Sequence, residues 1–175
     1  NNLSLVARNW KPVTNYYSRS EELTQAYRLY VLALAKKTEM GAMNRLKERK
    51  DLNPMAKYML AASYALAGRK DVARELTEST LEAGNYRYDS YDMTFGSDVR
   101  DKAMMLITLC LIDKGNEAAT LANEIARTLS SDQWMSTQTT AFALVAMSQY
   151  VAKYAASDGM EFVYSCNGTK ESVRT

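Results

Sequence analysis

Residues 55–67 read MAKYMLAASYALA, apolar on nearly every face of a helix. The stretch that follows, GRKDVARELTESTLEAG at 68–84, carries a single apolar stripe of Val72, Leu76 and Ala83. A helix that is greasy all round has to be buried all round, whereas a striped helix keeps one face in water. The pair predicts an inner helix backed by an outer one. Residues 23–35, 99–112 and 137–151 repeat the first pattern. Met43 with Leu46, and Ala118, Leu121, Ala122, Ile125 and Leu129, repeat the second. Strict alternation of the two predicts an all-α fold, a two-layered α/α toroid in the form of a partial ring of helical hairpins.

The punctuation between these segments agrees. Asn53-Pro54 places a capping side chain before proline at the first helical position. Ser20 is positioned to cap a helix opening at Glu21-Glu22, whose carboxylates suit the positive end of the helix dipole. Ser97, Asn116 and either Ser136 or Thr137 open later helices. Gly68, Gly84 and Gly115 follow the last periodic residues, where a left-handed C-terminal cap belongs. Connections are short except at residues 85–97, so successive helices pair as antiparallel hairpins. LAASYALAGRKDVAREL, from Leu60, looks like a tetratricopeptide unit. The helix starts near Glu22, Pro54, Asp98 and Thr137 are nevertheless unevenly spaced and break that family's period of about 34 residues. A ring fits better than a regular solenoid.

After Gly159 the period changes to two: Met160, Phe162, Tyr164 and Cys166 alternate with Glu161 and Ser165, and Asn167-Gly168 is a strong hairpin turn signal. The expected organisation is a partial toroid over 1–158 and a short C-terminal β-hairpin over 159–175, the start of a β domain. Asn167-Gly168-Thr169 also matches a glycosylation acceptor, which the turn already explains.

Composition narrows the function. The 175 residues are 47% hydrophobic, enough for one sizeable core, and 22 basic against 20 acidic residues leave a net charge of +2. That balance gives no reason to expect nucleic acid as a partner. Absence of histidine removes the usual general base, zinc ligand and near-neutral switch. Ser136 and Thr137 thus have no histidine to activate them as nucleophiles. The ten methionines read as core gap-fillers and Cys110 as a buried, unpaired thiol. No catalytic, cofactor or metal residue is assigned. No run reaches the roughly 18 apolar residues of a membrane span. The chain opens in mid-pattern, which predicts a piece of something longer.

Four stretches are more specific than periodicity: QAYRLYVLALA from Gln25, GAMNRL from Gly41, TFGSDVRDKAMML from Thr94 and WMSTQTTAFALVAMSQY from Trp134. In that order they resemble the bacterial alpha-2-macroglobulin family, in the later part of its thioester (complement-like) domain. The resemblance implies an α/α toroid, re-entry into β structure after the last toroid helix, and a periplasmic or outer-surface location. It implies a non-catalytic part of an endopeptidase inhibitor whose partners are proteases, bound by the full-length parent, and the parent's neighbouring β domains. A ring with uncovered edges would also dimerise. The family's thioester needs a Cys-x-Glu-Gln motif. Cys110 is followed by Leu111-Ile112-Asp113 and Cys166 by Asn167-Gly168-Thr169, so no thioester forms in this region.

The long connection NYRYDSYDMTFGSDVRD, from Asn85, is the most site-like segment. Tyr86, Tyr88, Tyr91, Asp92, Phe95 and Arg100, with Trp134 from the next long connection, form a candidate interaction loop. The bland reading packs the tyrosines and Trp134 over the ends of helices and pairs Arg100 with a local carboxylate. A rival function is a carbohydrate-active toroid using two of Asp89, Asp92, Asp98 and Asp101 as acid and base. A second rival is a tetratricopeptide-like module with an open peptide groove.

Overall fold

The computed structural model describes residues 2–12, 18–50, 52–81, 97–154, 161–166 and 169–174. Eight helices lie among them: α1 (Asn2–Asn9), α2 (Ser18–Leu34), α3 (Met40–Lys47), α4 (Pro54–Leu66), α5 (Lys70–Leu81), α6 (Asp98–Leu111), α7 (Gly115–Leu129) and α8 (Thr137–Tyr154). The all-α reading holds. So does the C-terminal hairpin: β1 (Glu161–Cys166) pairs antiparallel with β2 (Thr169–Arg174), from Glu161 opposite Arg174 to Cys166 opposite Thr169.

The layers follow the sequence alternation. α2, α4, α6 and α8 pack in series; α5 backs α4, α3 lies across α2 and α4, and α7 lies across α6 and α8. α1 rests on α2 and α3. In α4 every residue from Tyr58 to Ala65 is buried, as are Met55 and Ala56. Removing each large side chain of this kind from water contributes about 1.5–3 kcal/mol. α6 buries Ala103, Met104 and the run from Leu106 to Cys110, with Cys110 a free thiol whose pKa is raised by burial. The striped helices turn their stripes to the core: Met43 and Leu46 in α3, Leu76 in α5 and Ala118, Ala122 and Ile125 in α7 are buried, Val72, Leu121 and Leu129 are half-buried against it, and Ala83 lies outside the described residues.

The fourth inner helix departs from expectation. α8 buries Thr139, Ala143 and Ala146, while Leu144 and Val145 are 57% and 50% exposed. Its helical neighbours are α6 and α7, with α2 reached through side chains. No described helix covers the remaining face. α2 is buried along most of its length, yet Tyr27 and Leu34 also face solvent.

Local chemistry sets the helix ends. Asn53 Oδ1 accepts from the amides of Met55 (2.8 Å) and Ala56 (3.4 Å), and Ser97 Oγ accepts from that of Arg100 (3.1 Å). Three inner helices close alike, with a left-handed residue after the cap and paired bonds back into the last turn. In α4 this is Gly68 (φ 81°), with Arg69 N–H to Tyr64 O at 2.8 Å and Gly68 N–H to Ala65 O at 3.0 Å. In α2 the residue is Lys36 (φ 56°) and in α6 it is Asp113 (φ 65°). Gly115 is therefore not the cap of α6; it is the first residue of α7, where a Cβ would stand 3.4 Å from the Tyr154 ring. Helix α7 also opens one residue before Asn116, and α2 two residues before Ser20. Gly84 lies outside the described residues.

Candidate functional site

Three inner helices bring their N-terminal halves around one cavity of about 300 Å³, lined by Leu23 and Tyr27 of α2, Arg100 and Met104 of α6, and Gln138 and Phe142 of α8, among others. The Tyr27 and Phe142 rings meet edge-on with centroids 5.7 Å apart, an arrangement aromatic quadrupoles favour. Tyr30 bonds Gln149 further along the same two helices.

Arg100 is 2% exposed, and its Nε and Nη2 lie 2.8 and 2.6 Å from Asp101 Oδ1, itself 1% exposed. The local carboxylate expected for Arg100 is thus its sequence neighbour. Such a pair removes two charges from water together, and separating the partners would strand one of them. Asp98 has a different environment: its side chain is half-exposed and takes Lys102 Nζ at 2.8 Å, one turn on. Lys102 also reaches Glu124 of α7 at 3.1 Å, and these bonds, that to Asp98 foremost, raise its pKa. The rival enzyme's carboxylates are therefore unlike: Asp101 is sealed under a guanidinium, and Asp98 pairs at the surface with Lys102 of its own helix. Asp89 and Asp92 lie outside the described residues.

The caps of α6 and α8 share one hydroxyl. Thr139 Oγ1 is 2.8 Å from Ser97 Oγ and 3.0 Å from Ser136 Oγ, and Ser136 Oγ accepts the Thr139 amide at 3.2 Å. Ser136 is thereby the cap of α8, one of the two residues proposed for it. Beside this node lies a crevice of about 330 Å³ lined by Val99, Gln133, Trp134 and Met135 together with the capping hydroxyls. Trp134 does not pack over the helix end: it is 83% exposed. Residues 131–136 carry it on a short connection in which Ser131 Oγ bonds Thr128 O at the end of α7 and Ser136 caps α8.

Of the candidate loop, Arg100 and Trp134 stand at the same end of the helices but line separate cavities. Tyr86, Tyr88, Tyr91, Asp92 and Phe95 lie outside the described residues. Among the described residues, no three His, Cys, Asp or Glu side chains are grouped to hold a metal ion, and no helix is long and apolar enough to cross a membrane.

Several residues that tie the structure together were not singled out in the sequence. Gln25, fully buried, donates from Nε2 to Ala7 O at 2.9 Å. Asn44 Oδ1 accepts the Tyr64 hydroxyl at 2.6 Å, and Glu22, 3% exposed, accepts Arg49 Nε at 2.6 Å and the Asn53 amide at 3.2 Å. At the far end, Asp113 accepts from Lys70 at 2.8 Å and from Lys153, joining α5, α6 and α8. A polar residue inside an apolar face was the available signal for Gln25 and Thr139.

The described residues thus form a scaffold of helical hairpins with capped, hydroxyl-linked helix ends and, among them, no assembled catalytic group. No protein-family model and no curated protein matches the chain. Solved structures do. A mutant Salmonella alpha-2-macroglobulin aligns with 98% of this chain at TM-score 0.65 and 19% identity. Native Escherichia coli alpha-2-macroglobulin, from domain MG7 to the C-terminus, aligns with 99% at 0.64 and 20%, and the trypsin-activated E. coli protein with 99% at 0.62 and 21%. The chain has the fold of the C-terminal part of bacterial alpha-2-macroglobulins, the family that the four stretches resemble. It spans 12% of the Salmonella chain and of the trypsin-activated E. coli chain, and 28% of the shorter one.

Proposed function

We propose that this chain is a non-catalytic helical block of an alpha-2-macroglobulin-like protein that inhibits endopeptidases by trapping them. The observation that carries the reading is the agreement of four ordered sequence stretches with a fold likeness over 97–99% of the chain. The block would form part of an α/α toroid over residues 1–158, and 159–175 would enter an adjoining β domain. Convergence of α2, α6 and α8 on one cavity supports the ring, and the tyrosine contacts from α2 to α8 weigh against an open tetratricopeptide groove. Neither cysteine has the spacing of a thioester, so capture in this region would be physical. A bacterial periplasmic or outer-surface location goes with the family.

Trypsin and elastase appear in the names of the E. coli structures that the fold matches. The test uses the full-length parent mixed with either protease. The expected outcome is a complex that still cleaves a small peptide substrate and no longer digests a large protein one. A protease left fully active on the large substrate would overturn the reading.

Exposure of Trp134 favours a second element, in which the connection before α8 is an interaction surface shared with the 86–95 segment, while Arg100, buried against Asp101, stays out of it. Trp134→Ala should then weaken contact with the parent's neighbouring β domains, read as greater protease sensitivity of the parent, without lowering the stability of this chain. The apolar edges carrying Leu144, Val145 and Leu34 should make the isolated chain dimerise or bind a hydrophobic dye. A monomeric, dye-silent chain would count against uncovered edges.

A further inference from the structure

α1 is held to the array differently from every other helix. Of its residues Ala7 alone is buried, while Leu3, Leu5 and Val6 are 37%, 56% and 48% exposed. Apolar burial, which anchors α4, therefore does little for α1. Its hold is polar and lies at its C-terminal end. A helix leaves its last carbonyls without partners of their own, and two side chains from the α2–α3 hairpin take them. Gln25 Nε2 donates to Ala7 O at 2.9 Å and Arg45 Nη2 to Arg8 O at 2.6 Å. The Arg8 guanidinium then forks onto Glu39, Nε to Oε2 at 2.7 Å and Nη2 to Oε1 at 2.9 Å. Ser4 bonds the same carboxylate. Just beyond α1, Trp10 packs against the core.

We propose that α1 is a strap that opens from the α2–α3 hairpin as a local unit, pivoting at Trp10. The Arg45 and Arg8 bonds of the latch lie at the surface, where water can replace them, and the buried Gln25 bond meets water as α1 lifts. A crevice of about 500 Å³ between α1 and residues 37–39 already admits solvent beside it. Lifting α1 uncovers the Gln25 amide to water, and closing gains the small net worth of a few hydrogen bonds and a half-exposed ion pair. In the open state Gln25 and Arg45 present a pair of donors set for successive carbonyls of a helix end, which in the closed state is that of α1 itself. Local openings well below the global unfolding free energy are expected of segments anchored in this way.

Amide hydrogen exchange on the intact chain tests the strap. The hydrogen-bonded amides of residues 6–9 should exchange more than about tenfold faster than those of α4. Replacing both latch charges, Arg8→Ala with Glu39→Gln, should speed residues 6–9 by a further two- to fivefold or so, and Arg45→Met by about tenfold. In each variant α4 exchange should stay unchanged. Arg8, Glu39 and Arg45 all sit outside the core, so these variants keep the fold. If residues 6–9 exchange in step with α4, or if the substitutions speed both together, α1 belongs to the global unit and the strap is wrong.

Discussion

α4 and α8 are written in the same apolar alphabet and end in different environments. α4 has α2, α3, α5 and α6 around it and buries ten of its side chains. α8 packs on α6 and α7, touches α2 through Phe142 and Gln149, and buries three. An all-round apolar helix is one that tolerates burial on every side. Whether it is so buried depends on how many neighbours the fold supplies, and that number is not written in the helix itself.

Substitutions can break this contrast or sharpen it. The largest effect is expected inside α6, where Arg100→Met leaves Asp101 buried without its cation and should cost about 3–5 kcal/mol in denaturant unfolding. Next, Leu60→Ala in α4 removes a fully buried side chain and should cost about 2–5 kcal/mol, whereas Leu144→Ala in α8 should stay within about 0.5 kcal/mol. Equal losses at the two positions would mean that α8 is covered in solution, by a second copy of the chain or by another segment, and concentration dependence of the Leu144→Ala effect would separate the two.

Smaller still are the tyrosines of α4. Tyr64→Phe gives up the bond to Asn44 and should cost about 0.5–1.5 kcal/mol. The Tyr58 hydroxyl is buried without a hydrogen-bond partner among the described residues, and burial pushes its pKa up to about 12. Removing it releases a stranded polar group, so Tyr58→Phe should be neutral or slightly stabilising in the same measurement.

Asp113 tests the other end of the contrast, where α6 is clamped to both α5 and α8. The bonds from Lys153, first, and Lys70 hold its pKa at about 2, below the usual 3.8. A carboxylate depressed on folding stabilises above its unfolded pKa, and the contribution is lost as pH falls through the folded value. The stability gap between the native chain and Asp113→Asn should accordingly be present at pH 7 and close between about pH 4 and pH 2. A gap constant with pH would show that the clamp does not depend on the charge of Asp113.

Much of the architecture was legible because it rests on local chemistry. Asn53, Ser97 and Gly68 cap helices as their residue types require, and the striped helices bury the stripes they display. The errors have local causes too. Asp113 takes the left-handed position because a short polar side chain tolerates it, which freed Gly115 to pack under Tyr154. Indoles usually bury their rings, but Trp134 stands on a short connection between α7 and α8 and is 83% exposed. Gln25, Thr139 and Asp113 have partners far away in sequence, and no single-helix pattern names such a partner.

By itself, then, the sequence determined the helices, their two kinds and their order, because periodicity and capping act over a few residues. Which apolar faces find a neighbour, which carboxylate is sealed and which stays at the surface, and that α1 is held by hydrogen bonds where α4 is held by burial, were settled by the tertiary fold. Those outcomes depend on contacts between distant segments, whose energies arise only once the helices are brought together.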